Sequence, residues 1–227
     1  MTKHPTRRRA AVAVVATALS LALAPASFAA ADPAPQGTAN TASQGLKPLA
    51  TSPAAYELGE ELAELSGKEL EITYLAAIIP HHRSAVEMAE LELRRGADAR
   101  VRAAAEDILA GQRLQLVELT RRLHQWYGLT PKQAREKAPE EAREEIDALA
   151  SDTRARVEEL RRTPAGKGFD TAFVRRVIPH HSAGIVQSLE AQARAVHPEL
   201  REAARTAISA QQAEIDDFRS WLAGHKK

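Results

Sequence analysis

Four histidines stand in two copies of one phrase, Ile79-Pro80-His81-His82 and Ile178-Pro179-His180-His181, 99 residues apart. Neutral imidazole is the commonest metal ligand among side chains, and it titrates near neutral pH. Four such rings at one level of a helical bundle suit a borderline ion such as Cu(II), Zn(II) or Ni(II). The chain has no cysteine, so thiolate sites, disulfides and thiol catalysis are excluded. Met88 is the one methionine outside the first 31 residues and the one thioether near the phrase. Glu71, Asp170, Gln112, Gln115, Gln211 and Glu214 are polar candidates to hold the second nitrogen of a ligating imidazole or to add a ligand. A lone histidine on an apolar face is most simply a core group rescued by one hydrogen bond. The second copy shifts the balance. Its surroundings differ (Arg83 against Ser182, Glu87 against Val186, Met88 against Gln187), yet all four histidines stand in both. His124, His197 and His225 lie near helix ends or in the tail and read as surface residues.

The elements that position these rings also occur twice. The 99-residue offset pairs Gly67-Lys68 with Gly166-Lys167, Glu71 with Asp170, Tyr74 with Phe173, Gln112 with Gln211, and Leu123 with Leu222, without a gap. Such an offset reads as an internal duplication. In the first copy, apolar residues at Leu75, Ile78, Ile79, Ala85, Val86, Ala89 and Leu93 follow a helical period over about Glu69–Arg95. Gly96-Ala97-Asp98 turns the chain, and a second helix covers Ala99–Tyr127 until Gly128 ends it. The second copy predicts helices over Asp170–Ala195, with Leu189 on the inner stripe, and Glu199–Leu222. A short helix over Tyr56–Leu65 precedes them, and a charged connector opens at Thr130-Pro131 and holds a helix over Glu140–Arg162. Two hairpins of long helices bury their stripes best against each other. The expected fold is all-α, a four-helix bundle with a pseudo-twofold axis and the connector helix outside, between the hairpins.

Proline inside a helix costs roughly 3 kcal/mol, and having one at matching positions in both copies suggests a wanted kink that re-aims the next side chains. Successive helical residues differ by about 100° in direction. His82 and His181 fall at the centre of their stripes, and His81 and His180 on one flank. The stripe-centred pair is therefore expected to meet across the axis.

Residues 1–31 read as a secretory signal, with Lys3, Arg7, Arg8 and Arg9 before an apolar run from Ala10 to Ala24. That run is short for a membrane span. Residues 32–52 read as a flexible linker of Pro, Ala, Gly, Ser and Thr. Residues 53–227 read as the helical domain, with repeats over about 67–128 and 166–224 and the connector over 129–165. The whole chain carries +1; without the four basic residues of the leader, 27 basic residues face 30 acidic ones, about −3. No basic patch with interleaved aromatics is present, which argues against nucleic acid as a partner. No transmembrane span is expected after leader removal, and the location reads as secreted or cell envelope.

The run Phe169-Asp170-x-x-Phe173, Ile178-Pro179-His180-His181, His197-Pro198-Glu199-Leu200 and Gln211-x-x-Glu214-Ile215-x-x-Phe218-x-x-Trp221-Leu222 resembles the DUF305 family of exported proteins. The first copy resembles it more loosely, through Tyr74, Ile79-Pro80-His81-His82, Ala85, Met88-Ala89 and Gln112. The resemblance implies a ferritin-like four-helix bundle, and some relatives are linked to copper or silver binding in the bacterial envelope. By position it makes His81, His82, Met88, His180 and His181 the metal-site candidates. Methionines common in the family just before the phrase are replaced here by Ala77-Ile78 and Arg176-Val177. An imidazole-dominated site is then expected in place of a thioether-rich one.

Three functions compete. An exported protein that buffers or carries a transition-metal ion, copper or a similar one, is the first. A helical structural or interaction domain without metal, in which the histidines satisfy each other, is the second, and a homo-oligomer is left open. A ferritin-like oxidase is third. Such di-metal sites use Glu-x-x-His, and no glutamate here has histidine three residues on.

Overall fold

The computed structural model describes residues 51–225. The signal peptide read over 1–31 and all but the last two residues of the linker read over 32–52 lie outside the described residues. The described chain is all-α, without a strand. Its helices are α1 (Pro53–Glu64), α2 (Gly67–Arg95), α3 (Ala99–Tyr127), α4 (Pro131–Lys137), α5 (Glu140–Arg162), α6 (Lys167–Arg194) and α7 (Pro198–Gly224).

Local chemistry explains the boundaries. Asp98 caps α3 by accepting from the Arg100 and Val101 amides at 2.9 and 3.0 Å. Gly128 closes α3 with φ 66°, a left-handed conformation that glycine adopts at no steric cost. The start of the charged connector folds as α4, because Thr130 and Gln133 form a capping box around Pro131. Prolines open α1 and α7, where a missing amide hydrogen costs nothing. Pro80 and Pro179 lie inside continuous helices.

Helices α2–α3 and α6–α7 are two antiparallel hairpins, joined through α2 and α6. Helices α3 and α7 lie farther apart and meet at one end, where Val101, Ile108, Phe218 and Trp221 share an apolar cluster. The far side is covered: α4 and α5 pack on α2, and α1 packs on α6 and α5. The connector helix thus lies outside the hairpins, against α2 of one, α6 of the other, and α1. This extra layer is why α2 is buried on almost every face, from Leu70 to Glu92.

The apolar core is divided in two. One cluster contains Leu58, Leu62, Leu75, Ile78, Leu123 and Leu200. The other contains Met88, Val101, Ile108, Phe169, Phe173 and Phe218. The histidine phrases lie between them along both α2 and α6. Leu189, expected inward, is 49% exposed. Beside it Ser188 is buried, held by a Tyr74 hydroxyl contact of 3.2 Å, so a polar pair takes the inner face there.

Candidate metal centre

Helices α2 and α6 cross at their histidine phrases. The rings of His81 and His180 stack, with centroids 3.8 Å apart and planes 24° from parallel. His82 lies 6.1 Å from His81, and His181 lies 5.8 Å from His180. All four are buried, forming a row of imidazoles across the molecule. The expected pairing is reversed. The flank histidines meet between the hairpins, while the stripe-centred ones turn to the second helix of their own hairpin. The reason is packing: the centre of each stripe faces the hairpin partner, and the flank faces the other hairpin.

Hydrogen bonding fixes where the ring protons sit. His81 Nε2 lies 3.0 Å from the His180 carbonyl oxygen, which only accepts, so this nitrogen carries the hydrogen. His82 Nε2 donates in the same way to Gln115 Oε1 at 2.8 Å. Ser84 Oγ spends its hydrogen on the His81 carbonyl at 2.6 Å and therefore accepts from His180 Nε2 at 2.8 Å. His181 Nε2 lies 2.7 Å from Glu214 Oε2, without the alignment of a hydrogen bond. His81, His82 and His180 thus turn Nε2–H to an acceptor and leave Nδ1 with a free lone pair. All four Nδ1 atoms are buried without a partner.

Burial keeps His81, His82 and His180 neutral. Burial, reinforced by the neighbouring His82 ring, pushes His81 down to about 3. Burial pushes His82 down to about 4 against the Gln115 hydrogen bond. Burial and the adjacent rings hold His180 well below the ordinary imidazole range. A cation reaching these three rings would meet lone pairs with no proton to displace.

The glutamines reach the same layer. Gln211 is fully buried, and neither end of its amide has a partner; Gln112 Oε1 has none either. A side-chain carbon on Gly184 would lie 2.2 Å from Gln211 Oε1 and 2.7 Å from His81 Cε1. Glycine at this point lets the amide and the ring close up.

Other sequence candidates sit elsewhere. Met88 is fully buried within the second apolar cluster, and its offset partner Gln187 donates to the Ala183 carbonyl at 3.1 Å. Glu71 and Asp170 lie at the ends of α2 and α6, away from the imidazole row. Asp170 Oδ1 accepts from the Ala97 and Asp98 amides at 2.8 and 3.0 Å. Glu71 accepts from the His197 amide at 2.7 Å, from His197 Nδ1 at 2.6 Å and from the Tyr127 hydroxyl. Burial pushes the Glu71 carboxyl up, but the Tyr127 and His197 hydrogen bonds outweigh it and hold the group below its ordinary value. His197 is half-buried and stacks on Trp126 at 3.9 Å, contrary to its reading as a surface residue. The offset hinted at this: His197 pairs with Asp98, and both are N-caps. Ser84 also escaped the sequence reading, although it lies one helical turn beyond His81.

A cavity of about 400 Å³ between α2 and α5 reaches the row. Its walls are apolar (Pro80, Leu149, Val157), its inner end includes His81 and Ser84, and Arg83 and Glu87 stand among its charged residues. Among the described residues, no three His, Asp or Glu side chains converge to hold an ion.

The family model for a domain of unknown function, DUF305, matches residues 36–222. The chain belongs to the DUF305 family. Its fold is shared by a DUF305 fragment from Deinococcus radiodurans, at 25% identity and a TM-score of 0.51, covering 67% of this chain and 95% of that one. A DUF305 protein from Streptomyces coelicolor described as secreted is 23% identical, with a TM-score of 0.57, covering 68% and 92%. CopM in its Cu(II)-bound form is 19% identical, with a TM-score of 0.54, covering 69% and 97%. CopM is also known in Cu(I)-bound, Ag-bound and apo forms. None of the curated proteins matches this DUF305 chain. No described helix is long and apolar enough to cross a membrane.

Proposed function

We propose that this DUF305 protein is an exported binder of a transition-metal ion, copper before others, that buffers or carries the ion outside the cytoplasm. The observation that carries this reading is the set of four buried Nδ1 lone pairs without partners, in a layer that also holds the unpartnered Gln211 amide. Buried polar atoms are normally satisfied, and such a cluster calls for a ligand. Neutral imidazoles and amide oxygens without thiolates suit Cu(II) and its neighbours, and Met88 adds no exposed soft donor. The cavity beside α5 gives a route to His81 and Ser84. Export rests on the leader read in the sequence and agrees with the secreted Streptomyces relative.

Titration of the mature protein with Cu(II), Ag(I) and Zn(II), beside a His81/His82/His180/His181→Ala variant, tests this. Uptake of about one ion or more by the parent and its loss in the variant is expected. Equal uptake by both proteins overturns the proposal. One observation favours a second reading, a structural helical domain without metal: Nε2 of His81, His82 and His180 already has a partner, and His81 and His180 stack on each other. That reading expects a folded parent protein that takes up none of the three ions.

A further inference from the structure

The two ends of the imidazole row are built alike and charged differently. His82 meets Gln115 on α3 at 2.8 Å, and His181 meets Glu214 on α7 at 2.7 Å. Gln115 and Glu214 are 99 residues apart, like the histidines they contact. The same ring nitrogen, the same neighbouring helix and nearly the same distance thus present an amide at one end and a carboxylate at the other. The Glu214 side chain is 22% exposed, so part of its charge stays inside the protein, where water screens it weakly.

We infer that Glu214 makes the row unequal: the His181 end favours doubly charged ions, and the His82 end does not discriminate by charge. This rests on the metal-binding reading above. A carboxylate facing Nε2–H enriches the electron density at Nδ1 of the same ring and strengthens it as a donor. It also places a negative charge near the bound ion, and that attraction doubles from a monovalent to a divalent cation. An amide oxygen holds the ring in the same orientation without the charge. Glu214 is thus a positioning residue that also sets ion preference, and Gln115 positions only.

The second copy differs at one more position. Gly184 stands where the first copy has Ala85, and it admits the Gln211 amide oxygen beside His81. Gln211 thus brings an amide oxygen beside His81 in the middle of the row, and it stands one turn from Glu214 as Gln112 stands from Gln115. Oxygen donors favour the harder, divalent ions.

The experiment compares the mature protein with Glu214→Gln, Glu214→Asp and Gln115→Glu, measuring Cu(II) and Ag(I) affinities by competition and the Cu(II) electron spin resonance spectrum. Glu214→Gln is expected to weaken Cu(II) about 10- to 100-fold while changing Ag(I) less than about threefold, the usual scale for losing a carboxylate behind a ligating histidine. Glu214→Asp should recover part of the Cu(II) affinity, and Gln115→Glu should raise it. A change in the spectrum of Glu214→Gln with an unchanged melting temperature separates ion preference from a merely structural role. Equal losses for both ions, or no loss for either, overturn this inference while leaving metal binding intact. A parent protein that binds neither ion overturns the metal-binding reading, and this inference falls with it.

Discussion

Glu71 and Asp170 are a pair of buried carboxylates 99 residues apart, as His82 and His181 are a pair of buried imidazoles, yet the two levels of the molecule use their polar atoms differently. At the ends, each carboxylate reaches across to the loop of the opposite hairpin and takes up its amides: Ala97 and Asp98 for Asp170, His197 for Glu71. In the middle, one nitrogen of His81, His82 and His180 is used to orient the ring and the other is left free, and both nitrogens of His181 lack a hydrogen-bond partner. Groups at the ends hold the hairpins together; groups in the middle are held in place by the fold and keep their capacity for a ligand. The contrast separates stability from binding, and it can be attacked from either side.

The largest effect is expected from acid acting on the middle. His81, His82 and His180 are neutral in the folded state because burial depresses them, to about 3 and about 4 for the first two. Unfolded imidazoles titrate near 6.5, so below that pH the unfolded chain binds more protons than the folded one. Their contribution to stability is full above about pH 6.5 and is lost as pH falls towards 4 and 3. The ion-free protein should unfold cooperatively in this window, and the His81/His82/His180/His181→Ala variant should show a much shallower acid limb in urea melts at pH 4, 5 and 7. Identical acid limbs would mean that the row is hydrated and does not behave as a buried layer.

The next effect belongs to the ends. Asp170→Ala leaves the Ala97 and Asp98 amides without an acceptor and loosens the α2–α3 turn from α6. A loss of about 2–4 kcal/mol is expected from charge-assisted hydrogen bonds to buried groups. Urea denaturation measures it, and ion uptake per folded molecule should not change. If Asp170→Ala abolished uptake while remaining folded, the division between ends and middle would be wrong.

Much of this arrangement is legible in the sequence, and the parts that are not share a cause. The long helices follow from apolar period, Gly96, Gly128 and the prolines, because these signals are local. The all-α fold follows from them. The orientation of the rings does not. A helical stripe says which face is buried, but α2 is buried on nearly every face, so the stripe cannot say which neighbour each face meets. His81 does lie on a flank; that the flank faces α6 depends on α5 and α4 occupying the other sides. Glu71 and Asp170 look like partners of the histidines because buried carboxylates often orient imidazoles. Their distance along the helix, about three turns from the phrase, is the signal that places them at the ends. Gln115 and Glu214 are visible as candidates, but their shared role is apparent only with His82 and His181 beside them.

The smallest effect distinguishes one end from the other. At the α2–α3 turn Glu92 is fully buried next to Asp170, and neither Glu92 oxygen has a hydrogen-bond donor facing it among the described residues. A side-chain carbon on Gly96 would fall 1.8 Å from Glu92 Oε1 and 2.8 Å from Asp170 Oδ1, so the two carboxyl groups crowd one point. The offset-related positions are Ala191 and Ala195: where the acid is absent, the glycine is not needed. Burial first, and then the Asp170 carboxylate, push Glu92 up to about 8. The folded state thus keeps a proton that the unfolded chain releases near 4.5, and between these values stability falls as pH rises. The Glu92 proton is expected to give an alkaline limb to the stability profile, and the imidazole row, with carboxylates such as Glu71, an acid limb. Glu92→Gln keeps a hydrogen-bond donor and has no proton to lose. It should match the parent below about pH 4.5 and exceed it at pH 8–9 by roughly 1–3 kcal/mol, the scale for relieving one buried uncompensated polar group. Urea melts across that range would show the difference opening with pH. A constant offset at every pH would mean that Glu92 is ionised throughout and that a cation, not a shared proton, balances the pair.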